Sequence, residues 1–315
     1  MEIVDAHLHL WDPSVLSYPW LEGPLLRPFH LRDLAEELSG SRVRAGSFVF
    51  VQAECAPHQS IDEVDWVSSI ATVQPEIRGI VAFAPLERPR ATEDHLTAFA
   101  QRPLVKGVRR LLQDQSTGFS SSPDFRISAR AVARAGLVFD ACVRWPQIAD
   151  VSALADAVPE LPIVLDHVGK PPVRSRADTT AELSSWAASL LALASRPNVV
   201  CKLSGLPAEA GRNWASRDLE PFLDAALAAF GSERLLFGGD WPVSAPYVKW
   251  IETVQHWVAD RLSAAEGEAV LSKNAERVYR LPRSEATVER SLSPDIPPST
   301  SMKVPVVEPE AGPTR

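Results

Sequence analysis

Eight short apolar runs alternate with amphipathic segments along the first 282 residues. The runs are EIVDAHLHL, GSFVFVQAE, IRGIVAFAPL, LVKGVRRLL, GLVFDACV, LPIVLDHVG, NVVCKLSG and RLLFGGDWPV. Most are rich in Val, Ile, Leu and Phe and almost continuously apolar, as expected of parallel strands buried on both faces. The segments between them carry helical stripes. Leu183, Trp186, Ala187, Leu190, Leu191 and Ala194 fall at i, i+3, i+4, i+7, i+8 and i+11, and Leu219, Phe222, Leu223, Ala226, Leu227 and Phe230 repeat that spacing. Further helices are expected over 31–39, 60–73, 91–101, 125–135, 147–157 and 262–280. Eight strands, each followed by a helix, predict an α/β protein with the (β/α)8 TIM-barrel fold. An open doubly wound sheet would normally announce a glycine-rich first turn. Here the first strand ends in HLHLWD instead.

After residue 282 the periodicity stops. Residues 283–315 are rich in Pro, Ser, Thr and Glu, which reads as a disordered tail. The expected division is therefore a barrel over 1–282 and a tail over 283–315, the former close to the about 250 residues typical of this fold.

Composition removes several classes of function. The chain carries 32 Lys+Arg against 40 Asp+Glu, a net charge of −8, and no basic cluster that would suit a nucleic-acid backbone. No apolar run approaches a bilayer span, and no Lys or Arg precedes Arg27, so neither a membrane role nor a signal peptide is expected. Cys55, Cys142 and Cys201 are widely spaced and odd in number. They read as packing residues in a reducing, cytoplasmic setting.

In this fold the strands' C-terminal ends build the site. Strand 1 ends in His7-Leu8-His9, and side chains alternate along a strand, so both imidazoles share a face. They can hold a metal ion or a substrate, although two polar residues at a strand end need do neither. Gln52 and Glu54 share a face after FVFV; a carboxylate there needs a polar cavity or an ion pair. Arg109 turned inward would stand at the barrel mouth as a fixed cation, with Gly107 leaving room for neighbours and Arg110 in a surface ion pair. His167 is expected on the face of Ile163 and Leu165. Lys202, after VVC, must reach a carboxylate or the cavity. Asp240 follows two glycines that permit close approach of backbone and ligand, and its plain alternative is a helix cap.

No G-x-G-x-x-G, P-loop, H-E-x-x-H or G-x-S-x-G pattern is present. The segments VDAHLHLWDP, YPWL, VQAE, VKGVRRLLQ, LPIVLDHVGKP, VVCKLSGL and RLLFGGDWPV, in that order over residues 3 to about 280, resemble the amidohydrolase superfamily. The resemblance is narrowest to the group containing L-fuconolactonase-like and L-rhamnonolactonase-like sugar lactonases and pyrone-dicarboxylate lactonase. It implies site roles for His7, His9, Arg109, His167 and Asp240. Strand 5, GLVFDACVRW, lacks the histidine of binuclear members. The resemblance thus implies either no required metal or one divalent ion, zinc foremost, held by some of His7, His9, Glu54 and Asp240.

The implied reaction is hydrolysis of a sugar aldono-lactone, such as a fucono- or rhamnono-lactone. Asp240 would move the proton, while Arg109, His167 and the His7/His9 pair meet charge developing on the carbonyl oxygen. Gln52, Glu54 and Lys202 would read hydroxyls, and Trp145, Trp241, Trp11 or Trp20 would pack on the ring or, as the equal alternative for each, in the core or at the barrel rim. The partner is then a small molecule, with assembly into a homo-oligomer left open. The alternatives are a metal-dependent decarboxylase of an aromatic or unsaturated acid, an amide or imide hydrolase, and a non-catalytic barrel.

Overall fold

The computed structural model describes residues 3–41, 43, 45–173, 179–244 and 246–282. Eight strands, β1 (Ile3–Leu8), β2 (Ala45–Val51), β3 (Ile77–Phe83), β4 (Val105–Arg109), β5 (Val138–Ala141), β6 (Ile163–Leu165), β7 (Val199–Leu203) and β8 (Leu235–Phe237), pair in parallel in chain order. The seam between β1 and β8 is drawn together just beyond β8. Leu8 and Trp241 form a parallel bridge, the His9 amide donates to the Trp241 carbonyl at 2.9 Å, and the Asp240 amide donates to the His7 carbonyl at 2.7 Å. The result is a nearly closed (β/α)8 TIM barrel, as the alternation of runs predicts.

The helices are α1 (Leu31–Leu38), α2 (Ser60–Ala71), α3 (Pro89–Phe99), α4 (Pro123–Arg134), α5 (Ile148–Ala157), α6 (Thr179–Ala194), the short α7 (Leu206–Ala210), α8 (Ser216–Phe230) and α9 (Tyr247–Arg261). The pattern reading omits α9. Yet Tyr247, Trp250, Ile251, Val254, Trp257 and Val258 make one buried stripe along it. The single helix expected over 262–280 is instead α10 (Ala264–Glu268), a π-helical turn (Ala269–Lys273) and α11 (Asn274–Val278). The expected tail, 283–315, lies outside the described residues.

Two apolar cores follow from strand alternation. Phe48, Phe50, Phe139 and Phe237 belong to the large outer core, which packs the sheet against the helices. Val49, Val51, Val81, Val138, Val164 and Leu236 form an inner core, joined by Ala275, Tyr279 and Leu281 from the end of the barrel chain. Tyr279 stands beside Val105 and Leu137, where β4 and β5 begin, so this segment plugs the N-terminal mouth of the barrel. The opposite mouth is left for chemistry.

Gly107 illustrates how tightly the interior is filled. A Cβ there would lie 2.6 Å from Val138 Cγ2 and 3.1 Å from the Val138 carbonyl. Gly107→Ala is therefore expected to cost about 1–3 kcal/mol and to lower the thermal midpoint by several degrees, measured by calorimetry.

Candidate functional site

At the C-terminal mouth lies a cavity of about 440 Å³ lined in part by His9, Glu54, Arg109, His167, Lys170 and Asp240. His9, Arg109, His167 and Asp240 are each at most 5% exposed, and His7 is wholly buried just beneath. His7 Nε2 lies 3.2 Å from His9 Nε2. Asp240 Oδ1 is 3.7 Å from His7 Nε2, 3.4 Å from His9 Nε2 and 4.0 Å from His167 Nε2. Arg109 Nη1 approaches His7 Nε2 at 3.3 Å, and its Nη2 donates to the Gln52 carbonyl at 2.6 Å. Five residues chosen from strand ends thus meet within one site.

Each is held from behind. His9 Nδ1 pairs with the Val51 carbonyl at 2.7 Å, and His167 Nδ1 with Ser204 Oγ at 2.9 Å. Ser244 Oγ donates to Asp240 Oδ2 at 2.7 Å. Asp5 Oδ1 accepts the amides of His7 and Gly239, both at 2.8 Å, and so ties β1 to the segment after β8. Gly239 is needed there because a Cβ would fall 2.2 Å from the Tyr247 ring and 2.5 Å from Asp5 Oδ2. The close approach expected between these glycines and a ligand is in fact one between segments of the protein.

His167 reaches the cavity by a route that strand alternation misses. Ile163 and Leu165 belong to the outer core, so a continued strand would send His167 outward. Instead β6 stops at Leu165, and His167, Val168, Gly169 and Lys170 take φ of 57°, 54°, 70° and 47°. Glu54 and Asp240 also have positive φ, 55° and 54°. Non-glycine residues in this region are strained and cluster at functional sites.

Beneath His7 lies a charged layer. Lys202 is wholly buried, 2.5 Å from Asp140 Oδ2, 3.2 Å from Asp166 Oδ1 and 3.3 Å from His7 Nδ1. Asp166 Oδ1 is also 3.3 Å from His7 Nδ1, and Asp166 Oδ2 is 3.6 Å from Arg109. Tyr279 donates to Asp140 from below at 2.9 Å. Burial opposes charge on Lys202, but Asp140 and Asp166 hold its ammonium firmly protonated. Burial also opposes ionisation of Asp166, which Lys202 and His7 overcome, keeping that carboxyl well below its usual range. Asp140 is pushed up to about 6 by burial despite Lys202.

Other expectations are revised. Lys202 cannot read a substrate hydroxyl, since it is sealed between two aspartates. Gln52 is buried and holds Glu54, donating to its Oε1 at 2.7 Å. Glu54 lines the cavity but joins neither close group of ligand atoms among the described residues, which are His7, His9, Asp240 and His7, Asp166, His167. Trp241 is 2% exposed and donates to Glu37 at 2.9 Å, and Trp11 is fully buried. Trp145 packs half-buried against the outer core. Only Trp20 of these four lines the cavity, donating to the Ala53 carbonyl at 2.7 Å. Arg110 makes its expected ion pair, with Glu87 at 3.0 Å. The three cysteines are free and buried; Cys55 and Cys142 line the cavity, and burial raises the Cys142 thiol to about 11. Asp140, Asp166, Ser204, Ser244, Lys170 and Tyr279 were not anticipated as site residues. The signal for the two aspartates was their place inside apolar runs.

Burial pushes His7 well below the ordinary histidine value and His167 to about 4, so both rings are neutral at neutral pH. Burial resists the Asp240 charge, yet the surrounding imidazoles hold its carboxyl well below the usual range. The His7, His9 and Asp240 atoms form a triangle with edges of 3.2, 3.4 and 3.7 Å. A tetrahedral zinc with bonds of about 2.0–2.1 Å spaces its ligands about 3.3 Å apart, so the triangle fits one face of such a site.

The family model described as amidohydrolase matches residues 4–281. L-fucono-1,5-lactonase of Burkholderia multivorans is 34% identical over 294 residues, covering 89% of this chain and 96% of that protein. L-fucono-1,5-lactonase of Burkholderia ambifaria is 30% identical over 291 residues, covering 89% and 96%. A crystal structure of a Burkholderia multivorans amidohydrolase with bound zinc superposes with a TM-score of 0.78 at 34% identity, covering 90% of this chain and all of that one.

Two outcomes test the site's electrostatics. Lys202→Met strands two buried carboxylates and is expected to cost about 3–5 kcal/mol in chemical denaturation, part of it recovered by adding Asp140→Asn. The His167 ring should titrate near pH 4 by NMR. Because the unfolded ring binds its proton near the ordinary histidine value of 6.5, this residue's stabilising contribution is full above that pH and lost as pH falls toward 4.

Proposed function

The chain belongs to the amidohydrolase family, and from that premise we propose that it hydrolyses a sugar lactone, with Asp240 moving the proton. One observation carries the reading: Asp240, His7, His9, His167 and Arg109 converge at the base of a cavity in a chain that is 34% identical to a fuconolactonase over nearly its whole length.

Ring opening needs water to attack the ester carbonyl, a group to take the water's proton, and donors for the charge that gathers on the carbonyl oxygen. Asp240 is ionised and fixed by Ser244, so it accepts that proton and returns it to the ring oxygen as the C–O bond breaks. His167 Nδ1 pairs with Ser204 Oγ, and in the tautomer in which Ser204 donates, the ring proton sits on Nε2, on the side of Asp240. Neutral His167 and cationic Arg109 then supply hydrogen bonds to the carbonyl oxygen. The two rigid ties of Arg109, to the Gln52 carbonyl and His7, preorganise it, so little reorganisation is needed during reaction.

The triangle of His7, His9 and Asp240 would hold one divalent cation, and zinc is the ion bound in the related crystal structure. When bound, such an ion supplies Lewis-acid polarisation of the carbonyl. It would take the His7 Nε2 lone pair now facing Arg109. His7 is oriented for this from behind, where its Nδ1 meets both Asp166 Oδ1 and the Lys202 ammonium at 3.3 Å while Nε2 points to the triangle.

Acid release from L-fucono-1,5-lactone and related aldono-lactones, followed with a pH indicator, tests the reaction. Asp240→Asn should lower kcat/KM by about 100- to 10,000-fold. Turnover retained in Asp240→Asn would refute the assigned proton carrier, and no release from any lactone would refute the reaction class. Loss of activity on chelation, restored by zinc, would establish the metal.

A further inference from the structure

Hydrolysis of a lactone turns an uncharged ring into a hydroxy acid: water adds to the carbonyl, the ring C–O bond breaks, and one carboxylate, one hydroxyl and one proton result. A site built only for the neutral ring has no use for a spare cation. This cavity has one. Lys170 lines it beside His167, and its ammonium bonds to the amide oxygen Oε1 of Gln113. Among the described residues no carboxylate stands within ion-pair distance of Lys170, whereas Arg109, which also lines the cavity, is paired with Asp166.

The holding of Lys170 is elaborate for a surface lysine. It occupies a left-handed backbone position, φ 47°, at the end of the turn that delivers His167. Its amide donates to the His167 carbonyl at 2.8 Å, and Trp186 Nε1 fixes that same turn by donating to the Val168 carbonyl at 3.0 Å. Gln113 Oε1 is approached from its other side by Cys142 Sγ at 3.6 Å, and Gln113 also faces Asp114 through its Nε2 at 3.3 Å. A neutral amide orients the ammonium without cancelling its charge. The backbone couples that charge to the position of His167.

We propose that Lys170, oriented by Gln113, is an anion subsite that binds the carboxylate of the ring-opened hydroxy acid. It rests on the lactone-hydrolase reading for the identity of the acid, but not for the existence of the subsite. The charge attracts the product and not the neutral substrate, so Lys170 sets product inhibition and the reverse, ring-closing direction more than it sets capture of the lactone.

Calorimetric titration with sodium L-fuconate and sodium L-rhamnonate tests this on the intact wild-type protein and on Lys170→Met, Lys170→Arg and Gln113→Leu, with circular dichroism confirming that each variant folds. Lys170→Met should weaken binding of the acid by about tenfold or more, the loss expected for a charge-assisted hydrogen bond. Lys170→Arg should retain most of the affinity, and Gln113→Leu should fall between. Steady-state kinetics should show the inhibition constant of the acid rising more than the KM of the neutral lactone. Acid affinity within about twofold of wild type in Lys170→Met, or parallel rises in both constants, would overturn the proposal, as would a wild type that opens a lactone but binds neither acid. Lys170-dependent acid binding in a protein that opens no lactone would leave the subsite standing and remove the lactone-hydrolase reading instead.

Discussion

Lys202 is the constraint around which the site is built. Its ammonium lies in the barrel axis with no access to water, between Asp140 and Asp166 and against His7. An ion in such a place is tolerable only when its partners are close and well aimed. Those partners come from strands 5 and 6, the lysine from strand 7, and the histidine from strand 1. Satisfying one charge therefore fixes the relative heights of four strands. The layer below is aliphatic and the cavity above is polar, and this charged sheet of side chains separates them.

The residues facing the cavity pay for their positions in backbone conformation. Glu54, His167 and Asp240 each stand just past the end of a strand, and each has a left-handed φ. A strand alone can present only every second residue to the axis. Ending the strand and reversing the twist lets a residue of the wrong parity turn inward, as at His167. Hydrogen bonds with Ser204, Ser244 and Gln52 then hold the side chains so delivered. Lys202 and Asp140, on regular strands, therefore lie below, while His167 and Asp240, on left-handed turns, lie above beside Arg109 at the end of β4.

This division explains what the sequence made legible. Eight apolar runs gave the barrel, and motif positions at their ends gave His7, His9, Arg109, His167 and Asp240. The parity argument placed Gly107 and Arg109 correctly but sent His167 to the face of Ile163 and Leu165, because a change of handedness leaves no mark in hydrophobic spacing. Lys202 was recognised as needing a carboxylate or the cavity, yet its partners were hidden inside apolar runs, where an aspartate looks like an interruption. The tryptophans were the least legible. Trp241, Trp11, Trp145 and Trp20 are chemically alike, and only packing across distant loops decides that Trp20 meets the cavity. The helix Tyr247–Arg261 carries a clear buried stripe that the alternation of apolar runs alone does not announce.

The plug at the N-terminal mouth has a consequence for biosynthesis. Tyr279 meets Asp140 across 139 positions of sequence. A nascent chain that has already left the ribosome with all eight strands still lacks the hydroxyl that caps Asp140, and its inner valines face an open, wet hole. The ionic layer is completed only when the last turn of the barrel emerges and docks. The electrostatics of the site therefore depend on a segment at the opposite mouth of the barrel, 139 positions beyond Asp140.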